Sequence, residues 1–509
     1  MPKQSTVPSS LDAIPPEIIE QIFVELQRLD ADVRKYPLDY SELWTDIPTH
    51  DLRWTTLFIE RSKSALLTVR IGTSPGRVSS EAVAVCLKCM QRVSVFHAHL
   101  SGSNSFVASI HAALRESNYP DLKELSLSRG WVPRNVFTVD SLPNLRSLSV
   151  IDSYFWPFPE LLRPGIIHLH LSCEPMHSSR WRSLDDALTV LKEMPLLESL
   201  TLEKTAFPRV AKIEGDPTAL PDIELPHLQQ LTLAGTVEII RLFLQHLTAP
   251  LEDKLHLHID HMPLSSSDNA PQEHASGLMD RIFRTEQPQA SYRTVRFYQT
   301  SSSHCSNEKT VVECGEVVSA DPPAHPRVFR VEFAGPFSPR LLCVHQQIAT
   351  GVCARLPLAR VEHVVLHGRP FSPSFGARVL APLGAGVKRL RVEGSEAADT
   401  VLRPFQRFGE AEEEDVDIWE DTIALLEGAE QQPANEGPAL LQRFTHLHTL
   451  EIVDVNFTRR GEMRTELFSR FLAACGGIRS HRIQLEGCDL TMVMEMQLRE
   501  ALGEEGELA

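Results

Sequence analysis

The residues of this chain whose types and spacing could do chemistry are paired histidines. His168-Leu169-His170, His256-Leu257-His258 and His446-Leu447-His448 are His-x-His triplets, and His363 and His367 bracket a further apolar run. On an extended strand, residues two apart face the same way, so a triplet aims two imidazoles at one side, as some metal hydrolases do to hold zinc. No Asp or Glu constellation in the sequence completes such a site. Cys86-Leu87-Lys88-Cys89 is a lone Cys-x-x-Cys, with no second pair and no His at matching spacing. The sequence also holds no phosphate loop, no Gly-x-Ser-x-Gly elbow, no His-Glu-x-x-His and no dinucleotide fingerprint. The expectation is a binding protein rather than an enzyme, with no metal and no cofactor.

The residue between the histidines explains where they stand. Leu169 and Leu257 belong to a recurring Pro-x-Leu-x-x-Leu-x-Leu pattern. It runs through Pro120, Leu122, Leu125, Leu127; Pro143, Leu145, Leu148, Val150; Pro164, Ile166, Leu169, Leu171; Pro195, Leu197, Leu200, Leu202; and Pro226, Leu228, Leu231, Leu233. The first apolar positions step by 23, 21, 31 and 31 residues. Weaker copies follow at Leu255 and Leu257, at Val361, Val364 and Leu366, at Val387, Leu390 and Val392, at Leu447, Leu450 and Ile452, and at Ile483 with Leu485.

Each core alternates apolar with polar, which is strand periodicity. Helical stripes lie between several copies: Leu184, Leu188, Leu191; Ile239, Ile240, Phe243, Leu244, Leu247; and Met463, Leu467, Phe468, Phe471, Leu472. A strand plus a helix every 21–31 residues predicts an α/β fold, a curved leucine-rich-repeat-like solenoid, because one unit cannot bury its own apolar face and must stack on neighbours. The polar slots beside the leucines then form a concave binding face. They include His168, His170, Thr201, Thr232, His256, His258, His363, Val365, Arg389, Arg391 and Glu451. A protein substrate is the expected occupant.

Charge and composition exclude other classes. The chain has 509 residues, 42% hydrophobic and 23% charged, enough to bury a large core. Its net charge of −17 lacks the clustered Lys and Arg that phosphate neutralisation needs, so nucleic acid is not expected. Glu410 to Glu436 holds eleven acidic residues and no Lys or Arg, so −11 of the −17 is local. No run of 18 apolar residues suggests a membrane span, and the first residues show no apolar leader core. Nine scattered cysteines fit reduced thiols, so an intracellular location, cytoplasmic or nuclear, is expected.

The start of the chain differs from the repeats. Ile14, Ile18, Ile22 and Leu26 recur every four residues, Ile19 and Phe23 widen the stripe, and Pro15 and Pro16 sit where a helix begins. This string, Ile14-Pro15-Pro16-Glu17-Ile18-Ile19 with Ile22-Phe23, resembles the opening helix of the F-box. Leu43-Trp44-Thr45-Asp46-Ile47 is similar to the end of that motif. Arg53-Trp54, then Phe58 through Ala65 with Arg61-Ser62-Lys63, resembles the segment that follows it in a large fungal class of F-box-like proteins with divergent leucine-rich repeats.

The resemblance covers residues 11–70 directly and the rest by repeat type. It departs from the family at Gln27 to Glu42, sixteen residues with Pro37, where the family carries a second amphipathic helix. The resemblance implies a substrate receptor of a cullin-based, SCF-type ubiquitin ligase. It would contact the Skp-type adaptor through Ile14, Pro15, Pro16, Ile18, Ile19, Ile22, Phe23, Leu43 and Trp44, and through the adaptor the cullin scaffold. The alternative is an adaptor-independent repeat scaffold whose F-box helix only caps the stack.

The expected layout is a disordered start over 1–10, an F-box-like segment over 11–75 and a solenoid over 76–509. Polar loop insertions are expected at 261–275 and 299–327, and an acidic insertion at 410–437.

Overall fold

The computed structural model describes residues 41–72, 78–100, 104–116, 119–132, 141–152, 154–155, 161–173, 183–204, 220–250, 254–260, 292–301, 307–315, 328–336, 358–368, 386–394, 446–455, 482–502 and 507–508, with a few single positions between. The N-terminal stripe, the helix expected over 463–472 and the segments 261–275 and 410–437 lie outside the described residues. The chain is mixed α/β, its strands mostly parallel, and it divides into two compact units, 1–208 and 209–509.

The first unit opens with a single 3-10 turn, Ser41–Trp44. Then follow β1 (Asp46–Ile47), α1 (Leu52–Arg61), β2 (Leu67–Ile71), α2 (Ser80–Lys88), β3 (Val93–His99) and α3 (Asn104–Glu116). Next come β4 (Glu124–Ser128), β5 (Trp131–Val132), β6 (Ser147–Ile151), β7 (Tyr154–Phe155), β8 (His168–Cys173), α4 (Leu184–Lys192) and β9 (Ser199–Lys204). Asp51, Ser79 and Ser183 cap α1, α2 and α4, each accepting a backbone N–H of the first turn. Parallel pairing follows chain order from β1 through β2, β3, β4, β6 and β8 to β9, while β5 pairs with β7. Among the described residues β1 pairs with β2 alone, so the sheet is open, not a closed barrel.

Two apolar rows cross these strands in register. Ile47, Val69, Phe96, Leu125, Leu148, Leu169 and Leu200 form one, and Ile71, Ala98, Leu127, Val150, Leu171 and Leu202 the other. All are buried. The repeat leucines are therefore core, and Leu184, Leu188 and Leu191 of α4 are buried too.

The expected boundary at 75/76 does not divide the structure. β2, inside the F-box-like segment, pairs with β3 beyond it, and Val69 and Ile71 extend the apolar rows. The alternating Leu67-Thr68-Val69-Arg70-Ile71 is itself a strand pattern, buried at every second residue.

The second unit holds β10 (Ile223–Glu224), β11 (Gln230–Gly235), α5 (Val237–His246), β12 (Leu247–Thr248), β13 (Lys254–Asp260), β14 (Thr294–Ser301), β15 (Asn307–Gly315) and β16 (Val328–Pro336). It continues with β17 (His363–Gly368), β18 (Arg389–Glu393), β19 (Thr449–Val453), β20 (Arg482–Glu486), α6 (Met492–Leu502) and β21 (Glu507–Leu508). The helix expected around Ile239 to Leu247 is α5, capped by Thr236.

Parallel neighbours again run β11–β13 and β17–β18–β19–β20–β21. Between them lies an excursion. β13 pairs in parallel with β16, not β14; β16 and β14 each pair antiparallel with β15; and β14 pairs in parallel with β17.

This excursion corrects the loop expected over 299–327. Residues 307–315 form a full strand, because Thr310, Val312 and Cys314 alternate inward and bury against the sheet. The Ser- and Pro-rich composition on either side hid it.

The strands share an ending. Arg129, Asp152 and Asp454, with Gly368, Gly394 and Gly487, all have positive φ. Each stands two residues beyond the second core apolar residue of its strand: Leu127, Val150, Ile452, Leu366, Val392 and Leu485. The N–H of Arg129, Asp152, Gly394 and Asp454 then donates to the last carbonyl region of the next strand, at 2.9 Å in each case. The chain thus leaves successive strands by the same left-handed turn.

Candidate protein-binding face

The strand positions between the apolar rows form the opposite, polar face of each sheet. In the first unit it is lined by small hydroxyls and histidines. Row by row it reads Glu124, Ser147, His168, Ser199, then Ser126, Ser149, His170, Thr201. His170 and Thr201 are half-buried here and His168 is exposed. His97 Nε2 lies 2.8 Å from Glu124, His99 Nδ1 3.1 Å from Ser128, and His170 Nε2 3.6 Å from Glu203.

Thr232, His256, His258, His363, Arg389 and Arg391 lie in the second unit, on β11, β13, β17 and β18, and are half-buried. Two expected slots behave differently. Val365 is buried at 5% exposure, and Glu451 at 3%, the latter beneath arginines. Strand alternation placed both correctly on the polar face, but neither is solvated, because longer neighbouring side chains cover them.

One row of this face crosses six adjacent strands: Arg330 (β16), Glu313 (β15), Arg296 (β14), Val365 (β17), Arg391 (β18) and Glu451 (β19). The next row carries His258, Glu332, Val311, Tyr298, His367 and Glu393. Ion pairs knit the two rows. Arg330 reaches Glu313 at 3.1 Å and Glu332 at 3.3 Å, and Lys309 reaches Glu332 at 2.6 Å. Glu332 also takes His258 at 3.3 Å. Arg391 holds Glu393 at 2.6 Å and Glu451 at 3.3 Å; Arg389 also pairs with Glu451. His367 lies 3.0 Å from Glu393.

The charges are layered. Side-chain exposure is 38% for Arg330, 45% for Arg296 and 42% for Arg389, against 12% for Glu332, 20% for Glu313 and 4% for Glu451. Glu332, Glu313 and Glu451 act as struts beneath the guanidinium groups, whereas Glu486, which Arg391 reaches at 3.7 Å, is 72% exposed. The electrostatics follow. The hydrogen bond from His258, with help from Lys309, holds the Glu332 carboxyl well below the usual range against the opposing effect of burial. Burial, reinforced by Arg389, pushes the His363 imidazole down to about 4. Burial and Arg330 likewise lower His256.

Sequence reading missed Arg296, Lys309, Glu313, Arg330, Glu332 and Glu393 as members of this face. Alternation within Thr294–Ser301 and Val328–Pro336 was the signal that could have found most of them. Trp44 requires a correction. It is 5% exposed and packs edge-on against Phe58, with ring centroids 4.9 Å apart, so it is closed to an adaptor. Its indole fills the space between the first turn and α1. Leu43 beside it is 57% exposed. Ile14, Pro15, Pro16, Ile18, Ile19, Ile22 and Phe23 lie outside the described residues. Ser62, from the Arg-Ser-Lys string, is buried and accepts from Arg92 Nη2 at 2.9 Å, which ties the end of α1 to the turn that leads into β3.

Burial pushes the Cys86 thiol up to about 12, which suppresses the thiolate that metal or nucleophilic chemistry needs. Among the described residues no group of three or more His, Cys, Asp or Glu is poised to hold a metal, and no helix is long and apolar enough to cross a membrane. No protein-family model matches the chain, and no curated protein matches it in sequence.

Proposed function

We propose that this chain is a leucine-rich-repeat-like, F-box-like substrate-recognition subunit of a cullin-based ubiquitin ligase. The repeats hold a protein substrate on the polar strand face, while the N-terminal helix engages the Skp-type adaptor. No residue of this chain performs covalent chemistry in that role. The observation that carries the reading is the sequence-ordered parallel ladder from β2 to β9, with apolar residues in register on one face and half-buried polar residues on the other. Recurrent left-handed strand endings support a repeat of one structural unit. The adaptor half of the reading rests on the resemblance of residues 11–70.

A second reading has its own support. Trp44 is internal, and β1 and β2 are built into the sheet, so the F-box-like segment does structural work as the first layer of the ladder. A repeat stack needs such a cover at its end. In this reading the chain is an adaptor-independent scaffold.

Co-purification of the full chain with the Skp-type adaptor separates the two. Binding that disappears in the Ile18→Asp, Ile22→Asp double variant is expected for a ligase receptor, because each aspartate would bury an unpaired charge at the contact. Absence of binding by the unaltered chain leaves the scaffold reading.

A further inference from the structure

Large exposed apolar side chains in the second unit gather on its last helix. α6 opens after Thr491, whose side chain accepts the N–H of Met494 at 3.2 Å. Successive residues of a helix turn by about 100°, so Met492, Val493, Met496 and Glu500 share one side of α6 and Leu498 stands on the other. Leu498 is fully buried. Met492 is 81% exposed, Met496 64% and Val493 58%, the three highest values for a large apolar residue among those described. The strand of the same repeat is also less covered than its neighbours. Leu485 is half-buried, whereas Ile452, Val392 and Leu366, in register with it, are buried.

The charge around this face has one sign. From Glu486 to Glu507 the sequence holds seven carboxylates against one cation, Arg499, a net charge of −6. Arg499 pairs with Glu495 along the helix, at 2.7 Å. Glu500 is exposed beside the apolar side chains, and Glu486 and Asp489 are exposed before α6 begins. Single apolar residues at a surface are ordinary; three on one face of one helix, rimmed by carboxylates, mark a contact surface.

We propose that the outward face of α6, formed by Met492, Val493 and Met496 with Glu500, docks a basic amphipathic helix of a partner protein. Methionine is unbranched and polarizable, so two of them adapt to the apolar stripe of a helix laid against them. The carboxylates set the charge of that helix: Lys or Arg beside its apolar stripe meets Glu500 and the acidic residues on either side of α6. The same charge argues against other occupants. A second copy would bring one acidic end against another, and nucleic acid or an anionic lipid surface would be repelled. The site is on a helix, not on the polar strand face assigned to the substrate, and it does not rest on the receptor reading above.

The test uses the full chain without adaptor, titrated with a fluorescently labelled peptide of leucine and lysine whose leucines recur three and four apart. The same residues reordered to remove the helical stripe, and a leucine–glutamate version of the original, serve as comparisons. The first peptide is expected to bind and the other two are not. Met492→Gln combined with Met496→Gln should weaken binding about tenfold, the effect of losing a central apolar contact. Glu500→Gln should weaken it about threefold, as a rim charge does. Leu196→Gln, at an exposed leucine of the first unit, should leave it unchanged.

The unaltered chain supplies a second readout that needs no variant. Hydrogen peroxide transfers one oxygen to a methionine sulfur, giving the sulfoxide and water. Bound leucine–lysine peptide should slow that reaction at Met492 and Met496, read by mass spectrometry. No binding of this peptide, equal binding of the reordered one, binding unchanged in the double variant, or no slowing of sulfoxide formation would each overturn the proposal. So would a dimer of the free chain that the double variant dissolves, because a second copy would then hold the face. Since no adaptor is present, these failures are distinct from failure of the receptor reading.

Discussion

Arg391 and Glu451 face one another on neighbouring strands although sixty residues separate them in the chain, with Nη1 3.3 Å from Oε2. Arg389 shares the same carboxylate, and the Glu451 side chain is 4% exposed while both guanidinium groups reach water. A carboxylate sunk beneath two cations stabilises β18 against β19. It also fixes the outward tilt of both arginines.

Glu451→Leu should therefore lower stability by about 1–3 kcal/mol, the cost of losing charge-assisted hydrogen bonds while the freed arginines turn to solvent. Glu451→Gln, which still accepts a hydrogen bond, should lose less. Urea midpoints at unchanged slope would measure both. A Leu variant as stable as the parent would show that the pair orders the face without stabilising the sheet.

Acid should weaken the fold in two stages. The His363 pKa falls to about 4 in the fold, from roughly 6.5 in an unfolded chain. The unfolded state thus binds the proton more tightly, and stability present above pH 6.5 declines as pH drops toward 4. Glu332 is held below its ordinary carboxylate value, chiefly by His258. Its contribution is present above about pH 4.3 and is lost only below that. Denaturation midpoints across pH 7 to 3 should show both declines; His363→Phe should shrink the first to the part that His256, also lowered by burial, carries, and should leave the second.

Much of this was legible in the chain. Leu125, Leu148, Leu169, Leu200 and Leu231 were placed by a repeated spacing, and all are core, because a row of in-register strands buries apolar side chains there. The ending of those strands was legible only in part. A positive φ at Gly368, Gly394 and Gly487 could be suspected from residue type, but Arg129 and Asp152 adopt it without glycine's freedom.

The network over β14–β18 was hidden for a different reason. Its pairs join β13 to β16 and β14 to β17, across an excursion that breaks chain order, so no local spacing brings Arg296 near Arg391 or His258 near Glu332. Trp44 misled because the F-box resemblance describes a residue's place in a family, whereas its burial depends on Phe58 in this fold.

The register of the first unit can be read by substitution. Leu169→Ala should cost about 2–5 kcal/mol, as a fully buried leucine in a packed row leaves a cavity. His168→Ala, one residue earlier on the polar face, should stay within about 0.5 kcal/mol. Equal losses at the two positions would mean that the strand does not alternate between core and solvent.

Trp44 and Leu43 separate structure from docking at adjacent positions. Trp44→Ala should destabilise by about 3–5 kcal/mol through loss of its packing on Phe58. Leu43→Asp, at a 57% exposed residue, should leave the thermal midpoint almost unchanged. Adaptor capture by the Leu43→Asp chain then reports on contact alone. Capture lost with the midpoint intact would place Leu43 in an adaptor interface, whereas retained capture would confine that interface to the upstream residues.

Two glycines at the same place in the repeat should respond unequally. Gly368 and Gly394 both have φ near +90°, so an alanine at either is strained by about 1–3 kcal/mol. A Cβ at Gly394 would meet nothing within 4 Å, whereas at Gly368 it would stand 1.8 Å from the carbonyl oxygen of Gln299 on β14. That oxygen is backbone and cannot rotate away, so the β14–β17 pairing itself must shift. Gly394→Ala should lose only the strain, and Gly368→Ala about 3 kcal/mol or more in total. Urea midpoints measure both losses, and equal losses in the two variants would contradict the close approach of β17 to β14.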